Sequence, residues 1–486
     1  MLSESTCHII EPASYLPSAL LYQMATKIRS AGDILLISCY ELGHQPLGAA
    51  FPNGFLRRAG FQPSVMDIAV EDFDEEKAAA AGFVGICVPM HTALRLGVRV
   101  ISRLREINPD CHICCYGLYA SLNSDYLLDN GADSCIGGEY EEPLTALVES
   151  LEQASQSPVA GVINRQHKAE PFLQKLTFPV PDRTGLPALE KYAQLEHNGA
   201  LRTAGYVEAS RGCLHLCTHC PIPPVYEGRF FVVPQDVVLA DIRSQVEAGA
   251  THITFGDPDF LNGPKHSLQL VRAMHEEFPE LTFDFTAKVE HLLNRGTDLP
   301  EFAAAGCLFI ITAVESLSDR VLTILDKRHT HADVVAAIDY VRKAGIAPRP
   351  TWVSFTPWTT LEDFVEVLEF VDDNGLIDHI DPVQYSVRLL IPPGSWLADH
   401  KETLPFRGPL DEGSFTYRWT HPDPAMDQLQ TEIASLVAKD AESEEDTAAT
   451  FYRVKELACG EQPADAMGSM PADRPRAPRL TEAWFC

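Results

Sequence analysis

The chain has 486 residues, 45% of them hydrophobic, too long for one ordinary core and apolar enough to bury two or three. Its 68 acidic residues against 38 basic ones give a formal charge of −30, which repels polyanions and excludes nonspecific binding to nucleic acid or an anionic membrane. No apolar run approaches the roughly 20 residues that span a bilayer. Residues 1–32 lack the basic, apolar and small-residue order of a secretion signal, so a cytoplasmic protein is expected.

After a lead over residues 1–32, short apolar runs alternate with amphipathic stretches across residues 33–151. Ile34–Ser38, Ser64–Ile68, Phe83–Val88, Cys111–Cys115 and Asp133–Ile136 read as buried strands, and Leu96, Val100, Ile101 and Leu104 share a helix face between them. That alternation predicts a doubly wound parallel sheet, with ligands outside the carboxyl ends of the strands. Residues 152–200 are poor in periodicity and rich in Gln, Pro and charge, as in a linker.

A second strand–helix alternation runs over residues 201–395, from Gly205–Ala209 through His252–Phe255, Leu281–Phe285, Leu308–Val314 and Arg349–Phe355 to Pro382–Val387. Six such units suit a partial (β/α)6 barrel, and periodicity alone also allows an open sheet. Thr360 and Asp363 have capping-box spacing. Residues 396–459 read as a helical extension with a helix near Met426–Ala438. Residues 460–486, rich in Pro and Ala, read as a mobile tail ending in Cys486.

Chemistry concentrates at Cys213, Cys217 and Cys220, in the loop after the first strand of the second alternation. Three thiolates at this spacing can hold three irons of a [4Fe–4S] cube and leave the fourth iron open. The competing readings are a zinc site completed by His215 or His219 and a redox dithiol made by Cys217 and Cys220. Ferredoxin-type clusters use four cysteines, and no fourth lies nearby. Most of the other ten of the 13 cysteines sit in apolar runs, as small buried hydrophobes suited to a reducing compartment.

The Cys-x3-Cys-x2-Cys loop resembles that of the radical S-adenosylmethionine (SAM) superfamily. The N-terminal layout, with Ile34–Ile37, Pro46–Gly48, Leu56–Gly60, Val84–Pro89 and Gly137–Glu139, resembles the cobalamin-binding domain that precedes many of its barrels. The resemblance implies a flavodoxin-like cobalamin-binding domain before a partial radical SAM barrel. It also implies a [4Fe–4S] cluster, SAM and cobalamin as cofactors, and an external electron donor such as flavodoxin or ferredoxin. Reductive cleavage of SAM would give methionine and a 5′-deoxyadenosyl radical that acts on a small-molecule or peptide substrate. Methyl transfer is implied where cobalamin binds.

The same resemblance places Gly256, Asp257 and Asp259 near the SAM amino group, Glu315 and Ser316 near its ribose and carboxylate, and His219 near its adenine. Glu290 and Arg388, after later strands, are the implied catalytic or anion-pairing groups. His44, Gly48, His91, Gly117, Gly138 and Glu139 are the implied cobalamin contacts. His44 lies in Glu41-Leu-Gly-His-Gln-Pro-Leu-Gly48, without the Asp-x-His-x-x-Gly motif of domains whose histidine binds cobalt.

Finally, Arg479–Cys486 resembles the tail of a subfamily ending in Cys-Cys-Ala-Glu-Pro or Cys-selenocysteine-Ala-Glu-Pro. It implies a catalytic Cys486 with a selenocysteine encoded after it. A sister group with another cysteine-rich tail resembles enzymes that move the 3-amino-3-carboxypropyl group of SAM onto arsenic, which makes such transfer an alternative. A non-catalytic iron–sulfur or zinc sensor is the other.

Overall fold

A computed structural model of the chain describes residues 28–155, 157–460, 474 and 476–482. The N-terminal part runs β1 (Ile34–Ser38), α1 (Leu47–Arg58), β2 (Ser64–Asp67), α2 (Glu75–Ala80), β3 (Phe83–Cys87) and α3 (His91–Ile107). It continues with β4 (His112–Tyr116), α4 (Leu118–Leu122), α5 (Ser124–Asp129), β5 (Ser134–Ile136), α6 (Glu141–Glu152) and β6 (Val162–Ile163). The sheet order is β2-β1-β3-β4-β5-β6, parallel except for β6. Every residue of β1 and β3 is buried because helices cover both faces, which explains the unbroken apolar runs. The chain reverses direction of winding between β1 and β3, and the loops leaving those strands frame a crevice.

The second sheet begins with β7 (Gln194–His197) and β8 (Ala200–Val207), followed by β9 (Ser210–Gly212), α7 (Ile222–Tyr226), β10 (Phe230–Val232) and α8 (Gln235–Glu247). Then come β11 (His252–Phe255), α9 (Pro264–Glu277), β12 (Thr282–Thr286), α10 (Val289–Asn294), α11 (Leu299–Ala304) and β13 (Cys307–Glu315). The last units are α12 (Asp319–Ile324), α13 (His331–Lys343), β14 (Ala347–Trp352) and α14 (Leu361–Asp373). Strands β8 and β11 to β14 are parallel neighbours and form a half-barrel. Thr360 and Asp363 cap α14 reciprocally, as their spacing predicts.

The sixth expected strand differs. Pro382–Ser386 is a 3-10 turn, and the sixth parallel contact shrinks to one bridge between Phe355 and Arg388. Pro382 fixes its own φ and has no N–H to donate, which suits the first turn of a 3-10 helix. Beyond it lie the hairpin β15 (Arg407–Asp411) and β16 (Thr416–Trp419), then α15 (Pro424–Glu442) and α16 (Thr447–Cys459). Both helices lie within the helical extension expected over residues 396–459, the first of them over the stretch Met426–Ala438. Among the described residues no helix is long and apolar enough to cross a membrane.

Part of the tail expected to be mobile is instead a strand, β17 (Arg479–Leu480), antiparallel to β7. Leu480 packs with Leu195, Phe309 and Ile311, and Arg479 pairs with Glu196 at 2.8 Å. From the opposite edge of the sheet, Arg349 on β14 donates to the Pro478 carbonyl at 3.4 Å. The tail therefore straps the two open edges of the half-barrel, and Glu482 accepts from the Tyr40 hydroxyl at 2.9 Å. Composition hides this because the pairing is made with residues almost 300 positions earlier. Leu480→Lys should lower unfolding stability by about 1–2 kcal/mol, because a charge replaces an apolar contact at a sheet edge. Urea denaturation reads the change, and an unaltered midpoint would show that the strap is not holding the edges.

Candidate active site

Two parts of the molecule meet at a cavity of about 430 Å³. The loops after β1 and β3 contribute Glu41, His44, Pro89 and Met90 to it, and Gly117 and Gly138 follow β4 and β5. The barrel contributes Tyr206, Glu208 and Arg211, then Gly256, Asp257, Asp284 and Ile311. The walls are thus the carboxyl ends of both parallel sheets, where ligands of such sheets bind. Leu480 and Glu482 of the strap take up part of the opening.

Arg211 joins the halves. It is 6% exposed and is the central residue of β9, two residues before Cys213. Its guanidinium lies 2.6 Å from Glu141, 2.9 Å from Glu208 and 3.7 Å from Glu139. It also lies over the Phe51, Phe178 and Tyr140 rings at 4.5, 5.0 and 5.6 Å. Burial pushes Glu139 up to about 7 against the pull of Arg211. Arg183 adds a second cross-link, donating to both oxygens of Asp241 at 2.9 Å and to Gln45 Oε1 at 2.9 Å.

The cysteine loop hangs from this anchor. Gly212 turns it at φ +73°, where a Cβ would stand 2.5 Å from the Arg229 carbonyl. Cys213 and Cys217 are buried and Cys220 is half-buried. Burial pushes the Cys213 and Cys220 thiols up to about 11 and about 12, so each becomes a ligand only as a metal displaces its proton. Thr218 ties the loop to the Leu325 carbonyl at 3.1 Å and the Ile324 carbonyl at 2.9 Å, and Asn262 accepts from the Leu214 N–H at 3.3 Å.

Lys327, 2% exposed, stands beneath the loop and lies 3.1 Å from Glu315. It is flanked by Asp326 and Arg328, both left-handed at φ 48° and 58°, a strained backbone that aims the side chain inward. Burial opposes ionisation of Glu315, but Lys327 and His219 outweigh it and hold the carboxyl well below its usual range. His219, expected near an adenine, is 3.5 Å from Glu315, and Ser316 accepts from the Ser318 N–H. Residue order alone marks neither Lys327 nor the side-chain partners of Arg211, which lie far away in the chain.

Asp259 braces the loop from another side. It accepts from His291 Nδ1 at 2.7 Å, the Leu261 N–H at 3.0 Å and the Lys288 N–H at 3.3 Å, with His215 at 3.4 Å. Among the described residues, His215, Asp259 and His291 are the group of possible metal ligands whose donor atoms all fall within 4.8 Å of one another. Glu290 stands 3.7 Å from His215.

Several expected contacts have other employment. Asp257 lines the cavity and accepts from the Ala209 N–H at 2.9 Å and the Ser210 hydroxyl at 2.6 Å, so it also fastens the start of the loop. Gly256 reaches the cavity, with the Tyr206 hydroxyl where its Cβ would be. Arg388 is not at the cavity: it pairs with Asp427 at 2.6 Å and lies 3.5 Å over Trp419, joining the half-barrel to α15. His91 contacts the Ser414 carbonyl at 2.6 Å, outside the cavity lining. Glu139 accepts from the Tyr226 hydroxyl at 2.9 Å. Gly48 allows α1 to approach β3, since a Cβ there would meet Cys87 Sγ at 2.3 Å. His44 is stacked on Tyr206 at 4.2 Å, and burial lowers its imidazole to about 3, which keeps it neutral. Cys486 lies outside the described residues.

Residues 207–371 match the Radical SAM superfamily. The chain contains a radical SAM domain. It is 25% identical over 329 residues to the hopanoid C-3 methylase of Methylococcus capsulatus, covering 65% of this chain and 62% of that one. It is 25% identical over 229 residues to tRNA-2-methylthio-N(6)-dimethylallyladenosine synthase of Shewanella baltica, covering 44% and 46%. The chain thus spans about half to three fifths of these relatives. In structure it is similar to the cobalamin-dependent radical SAM enzyme OxsB with aqua-cobalamin bound, at TM-score 0.65 and 16% identity, over 84% of this chain and 67% of that one. It is also similar to the radical SAM methyltransferase TsrM of Kitasatospora setae, at TM-score 0.58 and 17% identity, over 72% and 74%. The two-part architecture of the radical SAM domain and its partner sheet is therefore shared, with little of the sequence.

Arg211→Met should cost about 3–5 kcal/mol above pH 7, because three carboxylates then lose their only buried cation. Burial raises Glu139 to about 7 and Arg211 opposes that rise, so without the cation the folded variant takes up the proton at still higher pH and gains more stability than the wild type as pH falls. The deficit of the variant should shrink from pH 8 toward pH 5 in thermal unfolding. A pH-independent deficit would rule out charge as the cause.

Proposed function

We propose that this protein is a radical SAM enzyme with cobalamin between its two sheets, and that it transfers a methyl group to a substrate bound in the shared cavity. The observation that carries this reading is the cavity itself: one space touches the switch-point loops of the N-terminal sheet and the residues bracketing the cysteine loop, Gly212 and Ile222. Similarity to a methylase and to two cobalamin-dependent folds supports the same reading.

Cys213, Cys217 and Cys220 would hold the [4Fe–4S] cluster. Three thiolates leave one iron of the cube open, whereas structural zinc takes four protein ligands. The cluster supplies the single electron that splits a carbon–sulfur bond of SAM, and cobalamin supplies alkyl-transfer chemistry. The protein's own part is positional. Asp257 and Asn262 hold the loop, Lys327 places a positive charge beside Cys217 and Cys220, and apolar walls keep water out. Gly256, with its carbonyl at the end of β11, remains the candidate for the SAM amino group, and Glu315 and Ser316 for the ribose side.

The N-terminal loops at Glu41–His44, Pro89–Met90, Gly117 and Gly138 would face the corrin. We assign His44 to the wall rather than to cobalt, because its ring is committed to Tyr206. A flavodoxin- or ferredoxin-class donor in a reducing cytoplasm would serve the cluster. Membership in the cysteine-tailed subfamily, with Cys486 as a working thiol, rests on the likeness of Arg479–Cys486 alone.

Anaerobic protein with a rebuilt cluster, SAM and dithionite should release 5′-deoxyadenosine or, with a substrate, S-adenosylhomocysteine. Alanine at any of Cys213, Cys217 or Cys220 should abolish both the cluster absorbance and SAM cleavage. Methylthioadenosine as the product would point to carboxypropyl transfer, and no product at all would end the reading. Loaded with cob(II)inamide, which brings no base of its own, the protein should give an EPR signal without nitrogen splitting, unchanged in His44→Ala. Splitting that disappears in that variant would make His44 a cobalt ligand after all.

A further inference from the structure

Asp284, on β12, is fully buried and lines the cavity. Its Oδ1 accepts from His252 Nε2 at 2.8 Å and from the Thr254 hydroxyl at 2.7 Å. His252, itself fully buried, places Nδ1 2.9 Å from the Thr282 hydroxyl, so the ring and both threonines hold the carboxyl in one orientation. Its Oδ2 has no hydrogen-bond partner. A buried carboxylate oxygen without a donor is costly, and the brace on the other oxygen prevents it from turning away. It is an acceptor held ready for something that enters the cavity.

The surroundings narrow what that is. Among the described residues Arg211 is the one Lys or Arg side chain lining the cavity, and Glu139, Glu141 and Glu208 surround it. Glu41, Glu208, Asp257 and Glu482 line the same space, so an anion would meet carboxyl groups and no free cation. Burial of His44 keeps that imidazole neutral, and His252 is spent on the other oxygen of Asp284 and on Thr282. Beside Asp284 the wall is Ile311, Tyr206 and Thr286, which suits an apolar body carrying one charged end.

We infer that Asp284 Oδ2 binds a protonated amine of the substrate, making this protein selective for cationic nitrogen compounds. The inference rests on the radical SAM reading in one respect: SAM's own ammonium is then taken by the cluster iron, which leaves Asp284 for a second molecule. A charge-assisted bond to a buried carboxylate is stronger than one to a neutral donor, so an amine should outcompete an alcohol of equal shape.

The test uses the full chain with cluster, SAM and cobalamin in place and three probes of one shape: benzylamine, benzyl alcohol and benzoate. Binding is read by calorimetry or saturation-transfer NMR. Benzylamine should bind the wild-type protein about tenfold or more tightly than benzyl alcohol, and benzoate should not bind. Asp284→Asn should weaken benzylamine by about tenfold while leaving benzyl alcohol within about twofold, with the cluster absorbance retained as the check on folding. Equal binding of amine and alcohol to the wild type overturns the inference, whether or not the variant folds. So does benzylamine binding that the variant leaves unchanged. A protein that shows the amine preference but never cleaves SAM would leave the anchor standing and sink the radical SAM reading instead.

Discussion

One buried guanidinium sets the geometry of this molecule. Arg211 is bonded through the backbone to the cysteine loop and through its side chain to Glu139 and Glu141 of the N-terminal part. A cation enclosed by three carboxylates and three aromatic rings has no comparable alternative in water-free surroundings, so its position is stiff. The loop that carries the thiols and the sheet that faces it are consequently registered by the same atom group. Any change in how the two parts sit is felt at the cysteines.

Around that anchor, the charges are sorted by depth. Lys327 and Glu315 neutralise each other under the loop, and Asp259 is shared among an imidazole ring and backbone N–H groups beside it. The cavity, by contrast, keeps an unanswered carboxylate oxygen at Asp284. The loop supports face one another as ion pairs and hydrogen bonds, whereas the carboxyl of Asp284 faces the cavity. Asp257 and Asp284 both line that space, but Asp257 accepts two hydrogen bonds from the start of the cysteine loop, one at each oxygen, and Asp284 accepts at one oxygen only.

The strap at the end of the chain belongs to the same arrangement. A half-barrel with an open side exposes two strand edges, and edges attract unwanted pairing. β17 covers the β7 edge, and Pro478 meets Arg349 of β14 across the gap. The cost of closure by a distant segment is a loop entropy that rises only slowly with length, so a tail can do it. Covering the side also brings Leu480 and Glu482 to the cavity, which makes the last described residues part of its wall.

Much of the fold was legible in order along the chain. The parallel strands of both sheets announce themselves as apolar runs because helices bury both of their faces, and the Thr360–Asp363 cap and the thiol spacing are local patterns. The strand expected at Pro382 is a 3-10 turn, a difference that the apolar pattern of Pro382–Val387 does not show. Nothing local could reveal that Arg211 meets Glu141, that Lys327 rises under the thiols, that Arg388 is spent on Asp427, or that Leu480 lies on Leu195. Those pairings join residues far apart in the chain, and their energies exist only once water has been removed between them. Residue order by itself determined the elements and the metal-binding thiols; only tertiary packing decided which charged groups were spent on holding the structure and which remained free for a ligand.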